Sequence, residues 1–119
     1  MSFERRDPAY LWDMLDAARH IQRFASGVSP QQYLQNEMMQ FAVERMIEVI
    51  GEAARKVSNE FKQAHPEIPW KQIIAQRNVI AHEYGTIIHS RIWLVVETGI
   101  PALIALLEPL IPPLPQEDE

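Results

Sequence analysis

One apolar stripe limits what this chain can fold into. Between residues 37 and 64, hydrophobic side chains recur at spacings of three and four residues, which is the period of one face of an α-helix. Asn36 is a good N-cap for this helix, which we expect to end near Ala64. Neighbouring apolar positions widen the stripe, so we expect other helices to cover it on two sides. The stripe consists of Met39, Val43, Met46, Ile50, Ala53 or Ala54, Val57 and Phe61, and the widening positions are Met38, Phe41, Ala42, Ile47 and Val49.

Proline and glycine signals divide the rest of the chain into further helices. Asp7-Pro8 favours a helix start, with aspartate as the N-cap and proline at the first helical position, and Ser26-Gly27 ends that helix. The sequence Ser29-Pro30-Gln31-Gln32 is a capping box that starts a short helical turn. Residues 65–69, which contain two prolines, break the long helix, and the next helix is expected over about 70–84.

The last predicted helix covers about residues 90–107 and contains a proline. Pro101 has no N–H to donate to the carbonyl of Glu97, so the helix should kink there. No strand-like alternation, repeat or linker interrupts the helical pattern. The sequence therefore predicts an all-α fold, an antiparallel bundle of about four to five helices that forms one domain over residues 1–107. The proline-rich acidic segment 108–119 is expected to be a flexible tail.

Charge and residue usage argue against several classes of site. The chain has no cysteine, so it has no disulfide, no thiolate metal site and no cysteine nucleophile. A net charge of −5 argues against a broad nucleic-acid surface, although a small basic pocket remains compatible with it. The apolar run 92–107 is interrupted by Glu97, Thr98 and Pro101 and is shorter than the roughly 20 residues of a membrane span. No secretory signal pattern opens the sequence, and we expect a soluble, cytoplasmic protein without membrane contact.

The chemically active groups are concentrated in residues 77–85, Arg-Asn-Val-Ile-Ala-His-Glu-Tyr-Gly. On a helical wheel at about 100° per residue, Asn78 and His82 share one edge, and Arg77 and Tyr84 share another. The second pair falls within the apolar arc of its helix, where a guanidinium needs a partner charge, a ligand or a subunit boundary. The arc is defined by Trp70, Ile73, Ile74, Ile80 and Ala81.

Arg77 and His82 suit acid–base and phosphate chemistry without a metal or another cofactor. Histidine can take a proton from a ribose hydroxyl or give one to a leaving oxygen, and arginine can bind a phosphate as its charge rises. Asn78 could orient the imidazole or hold a phosphate oxygen, and Tyr84 could stack on a base. The structural alternative is a histidine that interacts with the helix dipole and an arginine whose head reaches water.

Several other residues are expected to have structural rather than catalytic roles. Glu48, Glu52 and Lys56 form a row at i, i+4 spacing that we interpret as a solvated face. Gly51 costs about 1 kcal/mol relative to alanine in a helix, which indicates a close backbone approach. The remaining histidines are expected at the surface or at helix caps rather than around a metal ion. These histidines are His20, His65 and His89, and Arg5, Arg6 and Arg91 are expected to be isolated surface charges unless they extend a phosphate track.

Arg77, four intervening residues, His82, one residue and Tyr84 match the R-x4–6-H-x-Y signature of HEPN-domain ribonucleases. The chain most resembles HepT-like toxins in that group. The resemblance extends over most of residues 7–107 and includes the segments 50–54 and 65–70. Trp93 in the last helix also resembles that family.

This resemblance implies a HEPN-like bundle that forms a homodimer. The dimer would bring two copies of the motif into a shared cleft and cut RNA without a metal. It implies that Arg77 and His82 are the catalytic pair and that Asn78 supports them. Tyr84 corresponds to the tyrosine that an MNT-type nucleotidyltransferase antitoxin modifies by AMP transfer. Relatives often have aspartate where this chain has Ile88, so Ser90 is the candidate cap of the last helix here.

Two other functions are compatible with the same residues. The first is a non-catalytic helical subunit that binds nucleotide or substrate in a nucleotidyltransferase complex, with Tyr84 as the acceptor of AMP. The second is a purely structural helical dimer in which Arg77 closes an ion pair between subunits.

Overall fold

The computed structural model describes residues 6–82 and 88–112, without the side chains of Val79, Ala81 and His82. Helices account for nearly all of the fold in these ranges. No strand occurs within these ranges, and the all-α prediction is confirmed. The helices are α1 (Asp7–Ala25), α2 (Pro30–Leu34), α3 (Glu37–Lys56), α4 (Asn59–Ala64), α5 (Trp70–His82), α6 (His89–Leu94) and α7 (Ile100–Leu107). A π-helical turn (Val95–Gly99) joins α6 to α7, and a 3-10 turn (Glu108–Leu110) follows α7.

Helix α3 lies at the centre of the bundle, but the predicted widening of its apolar stripe is wrong at Met38 and Phe41, which are 82% and 64% exposed. It packs against α1 on one side and against α5 on the other, and α2 contacts its N-terminal part. Helix α7 closes the bundle against α1. Burial of apolar area at about 25 cal/mol per Å² is the main force that holds these helices together. The central core side chains include Leu11, Met14, Leu15, Ile21, Val43, Ile47, Ile50, Ala54, Ile100, Leu103 and Leu107.

The long helix predicted over 37–64 is wrong in one respect, because it is interrupted at residues 57–58. Helix α3 ends at Lys56, and Ser58 caps the separate helix α4 by accepting a 3.1 Å hydrogen bond from the N–H of Phe61. Val57 is buried, so the apolar period continues across the break and conceals it in the sequence.

Asp7 explains why the chain turns at Ser58. Its carboxylate accepts a hydrogen bond from the Ser58 N–H (2.9 Å) and another from the Ser58 hydroxyl (2.6 Å). Asp7 is only 5% exposed, so these bonds satisfy a buried charge. The predicted N-cap role of Asp7 is therefore wrong: Arg6 occupies the N-cap position of α1 without a side-chain cap, and the aspartate joins α1 to α4.

The last helix begins one residue earlier than predicted and is distorted before its proline. Ile88 occupies the N-cap position of α6 without a side-chain hydrogen bond, so the predicted cap at Ser90 is wrong. The distortion expected at Pro101 takes the form of the π-helical turn, in which the N–H of Ile100 bonds to the carbonyl of Val95. Because proline cannot donate a hydrogen bond, a wider turn beside it is a common way to keep the helix continuous.

The continuous helical segment His89–Leu110 is 22 residues long, which is longer than the apolar run that the sequence indicated. By length and composition alone it could cross a membrane. One face of it belongs to the core of the bundle, and 39% of its most apolar 18-residue window is buried. The buried side chains of that face are Ile92, Trp93, Val96, Ile100, Leu103, Ile104 and Leu107.

The segment after α7 remains attached to the bundle over its first residues. Glu108 accepts a hydrogen bond from the guanidinium of Arg19 on α1 at 2.9 Å, and Leu110 packs against the core. Residues 113–119 lie outside the described ranges. The flexible tail over 108–119 therefore stays a prediction, as does the single-domain boundary at 107.

Candidate functional site

The site is built where α5 crosses α3 at a glycine. A methyl group placed on Gly51 would lie closer to the Arg77 Cβ than atoms can approach, 2.8 Å from the Arg77 Cγ and 3.2 Å from the Ile73 carbonyl oxygen. A glycine is therefore required for this crossing, and the predicted close approach at Gly51 is confirmed. This contact fixes which point of α3 lies opposite Arg77 of α5.

Arg77 lies at the edge of the core, as its position on the apolar arc indicated. Its side chain is 30% exposed, and Trp70, Ile73 and Ile80 of the same helix are buried. Its Nη2 lies 3.5 Å from the Oε1 of Glu52, and its Nη1 donates a 3.3 Å hydrogen bond to the Oδ1 of Asn78. Of the three options that the sequence left open, a partner charge is present in the same chain.

Glu52 interacts with three cations at once. The Nη2 of Arg55 lies 2.7 Å from the Oε2 of Glu52, and the Nζ of Lys56 lies 3.8 Å from the same oxygen. The hydrogen bond from Arg55 is the largest cause that holds the pKa of Glu52 below its ordinary value, and the charges of Arg77 and Lys56 act in the same direction. Glu52 is thus ionised and links the end of α3 to α5.

A cleft of about 230 Å³ opens beside the Arg77 guanidinium, between α1, α3 and α5. Both polar and charged side chains line it, in contrast to a larger apolar groove of about 560 Å³ between α3, α5 and the last helix. The cations of the first cleft, Arg45, Lys56 and Arg77, are groups that can bind a phosphate, and three carboxylates of the same lining balance their charge. The lining of this first cleft includes Tyr10, Asp13, Arg45, Glu48, Glu52, Lys56 and Arg77.

The other predicted site residues are only partly described. Asn78 is exposed on α5 next to Arg77, and its amide oxygen accepts from the guanidinium. The backbone of His82 is the last residue of α5, but its side chain lies outside the described part, as does all of Tyr84. The structure thus brings Arg77 and Asn78 together, and the relation of both to His82 and Tyr84 stays a prediction.

Glu52 is the residue that the sequence interpretation missed. Its i, i+4 spacing predicts a solvated face shared with Glu48 and Lys56, yet it contacts a different helix at the predicted catalytic arginine. The only signal in the sequence was its place directly after Gly51, where a close helix crossing was expected. Knowledge of the register between two helices is needed to turn that signal into a contact.

A second polar cluster lies where α2, α3 and α6 meet. The ring of Tyr33 lies 4.9 Å from that of Trp93 and 6.5 Å from that of His89, and the Nδ1 of His89 approaches the Oε2 of Glu44 at 3.3 Å. Within the part of the chain that the structure describes, these two atoms are buried without a hydrogen-bond partner, as are the Tyr33 hydroxyl and the Trp93 Nε1. The cluster joins α6 to the N-terminal half of α3.

Burial raises the pKa of two acidic groups in this cluster. Desolvation is the main cause that raises the pKa of Glu44, Glu48 raises it further, and His89 opposes the shift. Desolvation followed by the charge of Glu44 also raises the pKa of Tyr33 well above its usual range, so the tyrosine stays neutral. His20 and His65 are elsewhere, each beside one carboxylate, namely Asp16 and Glu67.

Over most of its length the chain is similar to proteins whose names describe ribonucleases. A family model described as Ribonuclease HepT-like matches residues 14–110. A protein of Thermococcus cleftensis named "Probable ribonuclease HepT" is 35% identical over 107 residues, which are 90% of this chain and 97% of the relative. No solved structure matches the chain significantly.

Two further relatives have names that describe a nuclease. A "Putative RNase" of Methanocaldococcus jannaschii is 33% identical over 95 residues, which cover 80% of this chain and 87% of the relative. Another "Putative RNase", from Caldanaerobacter subterraneus subsp. tengcongensis, is 30% identical over 94 residues, which cover 79% and 84% of the two chains. Together with the all-α bundle, these matches show that the chain belongs to the HepT-like ribonuclease family.

Proposed function

We propose that this ribonuclease is a metal-independent endoribonuclease toxin that cuts RNA at a site shared by two copies of the chain. The support comes from the intact Arg77…His82…Tyr84 spacing, the family match and the placement of Arg77 at the edge of a polar cleft. The last of these is the observation that carries the proposal. An arginine that is partly exposed and already held by Glu52 and Asn78 can bind a phosphate with little loss of side-chain entropy.

In the proposed reaction, His82 removes the proton from a ribose 2′-hydroxyl, and the 2′-oxygen attacks the adjacent phosphorus. The bond from phosphorus to the 5′-oxygen breaks, and that oxygen takes up a proton. The products are a 2′,3′-cyclic phosphate end and a 5′-hydroxyl end. Arg77 stabilises the charge that grows on the phosphate oxygens, and Asn78 fixes the guanidinium or a phosphate oxygen.

Catalysis is tested with purified protein and RNA in the presence of EDTA. We expect Arg77→Ala and His82→Ala each to lower the cleavage rate by about a hundredfold or more, because one removes transition-state stabilisation and the other the proton transfer. Lys71→Ala is the control, since Lys71 is an exposed cation on the same helix. Cleavage that is unchanged in both variants would contradict the assignment of this pair.

The shared site is tested by mixing the two inactive variants. If Arg77 of one copy acts with His82 of the other, a mixed dimer has one intact site and one dead site. Random exchange of subunits should then restore about a quarter of the wild-type rate. No restoration, measured after subunit exchange has been verified by native mass spectrometry, would place both groups in one copy.

We further propose that a cognate MNT-type nucleotidyltransferase antitoxin neutralises the enzyme in the cytoplasm by transferring AMP to Tyr84. An adenylyl group would add a phosphate charge and bulk close to the catalytic pair and would repel the RNA backbone. Intact-mass measurement after incubation with the antitoxin and ATP should show the added AMP in the wild type and not in Tyr84→Phe. The non-catalytic alternative predicts this modification together with no RNA cleavage by the free protein.

A further inference from the structure

Three cations surround a single carboxylate at the end of α3. Glu52 lies within 4 Å of Arg55, Lys56 and Arg77, at 2.7, 3.8 and 3.5 Å respectively. One negative charge therefore faces three positive charges, and two positive charges are left without compensation inside the group. This local surplus contrasts with the net charge of −5 for the whole chain.

The charges of the adjacent cleft do not cancel the surplus, which comes from Arg55, a residue that does not line the cleft itself. Arg45 and Glu48 line the cleft as a pair of opposite charges 3.9 Å apart, so they neutralise each other. Among the residues that the structure describes, Asp13 on α1 is the remaining acid of the cleft wall. It offsets one positive charge and leaves the other, so the C-terminal end of α3 beside Arg77 stays electropositive.

Both cations at the end of α3 are more exposed than the predicted catalytic arginine. The side chain of Arg77 is 30% exposed, that of Lys56 is 47% exposed and that of Arg55 is 58% exposed. A helix C-terminus favours basic residues by itself, through its dipole. That effect does not explain why the carboxylate that binds both residues also contacts an arginine of another helix at a glycine crossing.

We propose that Arg55 and Lys56 form a phosphate-binding subsite for single-stranded RNA next to the phosphate that Arg77 binds. Glu52 is the positioning residue of this subsite, because all three cations lie within 4 Å of its carboxylate and two of them, Lys56 and Arg77, line the cleft. This inference rests on the proposed ribonuclease function and adds the direction in which the RNA backbone leaves the site, along the end of α3. Contacts to phosphates are independent of sequence, so the subsite strengthens binding to any RNA.

The subsite is tested by the salt dependence of RNA binding. The probe is a single-stranded oligonucleotide with 2′-O-methyl riboses, which cannot form a cyclic phosphate, so affinity is measured without cleavage. Each phosphate contact on single-stranded nucleic acid contributes about −0.7 to the slope of log K against log salt. Loss of both contacts in Arg55→Ala/Lys56→Ala should reduce the magnitude of the slope by about 1.4 and the affinity at low salt by about tenfold or more.

The matched control is Arg23→Ala/Lys71→Ala, which removes the same charges from exposed positions on α1 and α5. The proposal predicts that the slope of this control stays at the wild-type value. Equal slopes for the two double variants would overturn it. Arg55→Gln/Lys56→Gln gives the same test with longer side chains if the alanine variant does not fold.

The two proposals fail in different ways. In one outcome, the wild type binds the probe, the binding depends on Arg55 and Lys56, and ordinary RNA is not cut. This result contradicts the ribonuclease mechanism but supports the subsite. In the opposite outcome, the wild type cuts RNA and Arg55→Ala/Lys56→Ala retains the wild-type slope of log K against log salt. This result contradicts the subsite but not the mechanism. Absence of any binding to the probe overturns the subsite directly.

Discussion

The α-carbon of Gly51 faces the Cβ of Arg77 with no room between them for a methyl group. This relationship sets the distance between α3 and α5 at the point where the predicted catalytic arginine begins. The packing of α3 against α5 and the geometry of the cleft therefore depend on the same glycine.

Gly51→Ala should destabilise the protein by about 1–3 kcal/mol in spite of the better helix propensity of alanine, because overpacking against backbone and Cβ atoms exceeds the gain of about 1 kcal/mol. Urea unfolding measures the change. Gly99→Ala is the control, since a methyl group there would meet only Val95 Cγ1 at an ordinary 3.6 Å. A Gly51→Ala variant as stable as the wild type would show that the helices separate without loss.

Glu52→Gln should lower the rate of RNA cleavage about tenfold while RNA affinity stays equal or increases. The amide keeps the shape of the carboxylate but no longer holds the guanidinium of Arg77 by charge, and small misplacements of a catalytic group reduce rates strongly. Glu48→Gln is the control, because Glu48 lines the same cleft and pairs with Arg45. Cleavage and binding are measured separately, and an unchanged rate in Glu52→Gln would contradict a positioning role.

Asp7 and Ser58 should show a strong energetic coupling. Asp7→Ala leaves two donors of Ser58 without their partner, and we expect a loss of about 1–3 kcal/mol. Ser58→Ala removes the α4 cap as well as one of those bonds and should cost a similar amount. A double-mutant cycle by urea unfolding should give a coupling of about 1 kcal/mol or more, and strict additivity would show that the two residues act independently.

The buried Glu44 should make stability depend on pH. Burial raises its pKa in the folded state above the ordinary value of 4.5, so the fold favours the protonated acid. This contribution to stability is fully present below the unfolded pKa and is lost as the pH rises through the folded pKa. Relative to Glu44→Gln, the wild type should therefore lose stability from about pH 4.5 upward. Urea unfolding of both proteins across this range tests the trend, and parallel curves would contradict it.

The helical wheel predicted the environment of Arg77 and not its partner. A period of 3.6 residues is a property of one helix, so it placed Arg77 on the core-facing edge beside Ile73 and Ile80, and the structure confirms this placement. The contact with Glu52 depends on how two helices are shifted along each other. No periodicity contains that information, and only Gly51 indicated where the crossing occurs.

The break at Ser58 and the cluster around Tyr33 were missed for a related reason. Val57 and Phe61 continue the apolar period through the break, while the hydrogen bonds that cause it come from Asp7, 51 residues away. Tyr33 lies in a helix of five residues, too short for a period to emerge, and its neighbours come from α3 and α6. Long-range polar contacts of this kind become visible only after the chain is folded.

The π-helical turn at Val95–Gly99 gives the last helix a place where chain length can change. A π turn contains about one residue more than an α turn, so it stores a single-residue insertion without ending the helix. Deletion of one residue there, combined with Pro101→Ala, should return the segment to an unbroken α-helix that still buries Leu103 and Leu107. Thermal unfolding would show a cooperative transition close to that of the wild type if this register is kept. Homologous chains of different length can therefore be expected to differ at this turn rather than in the helices that form the cleft.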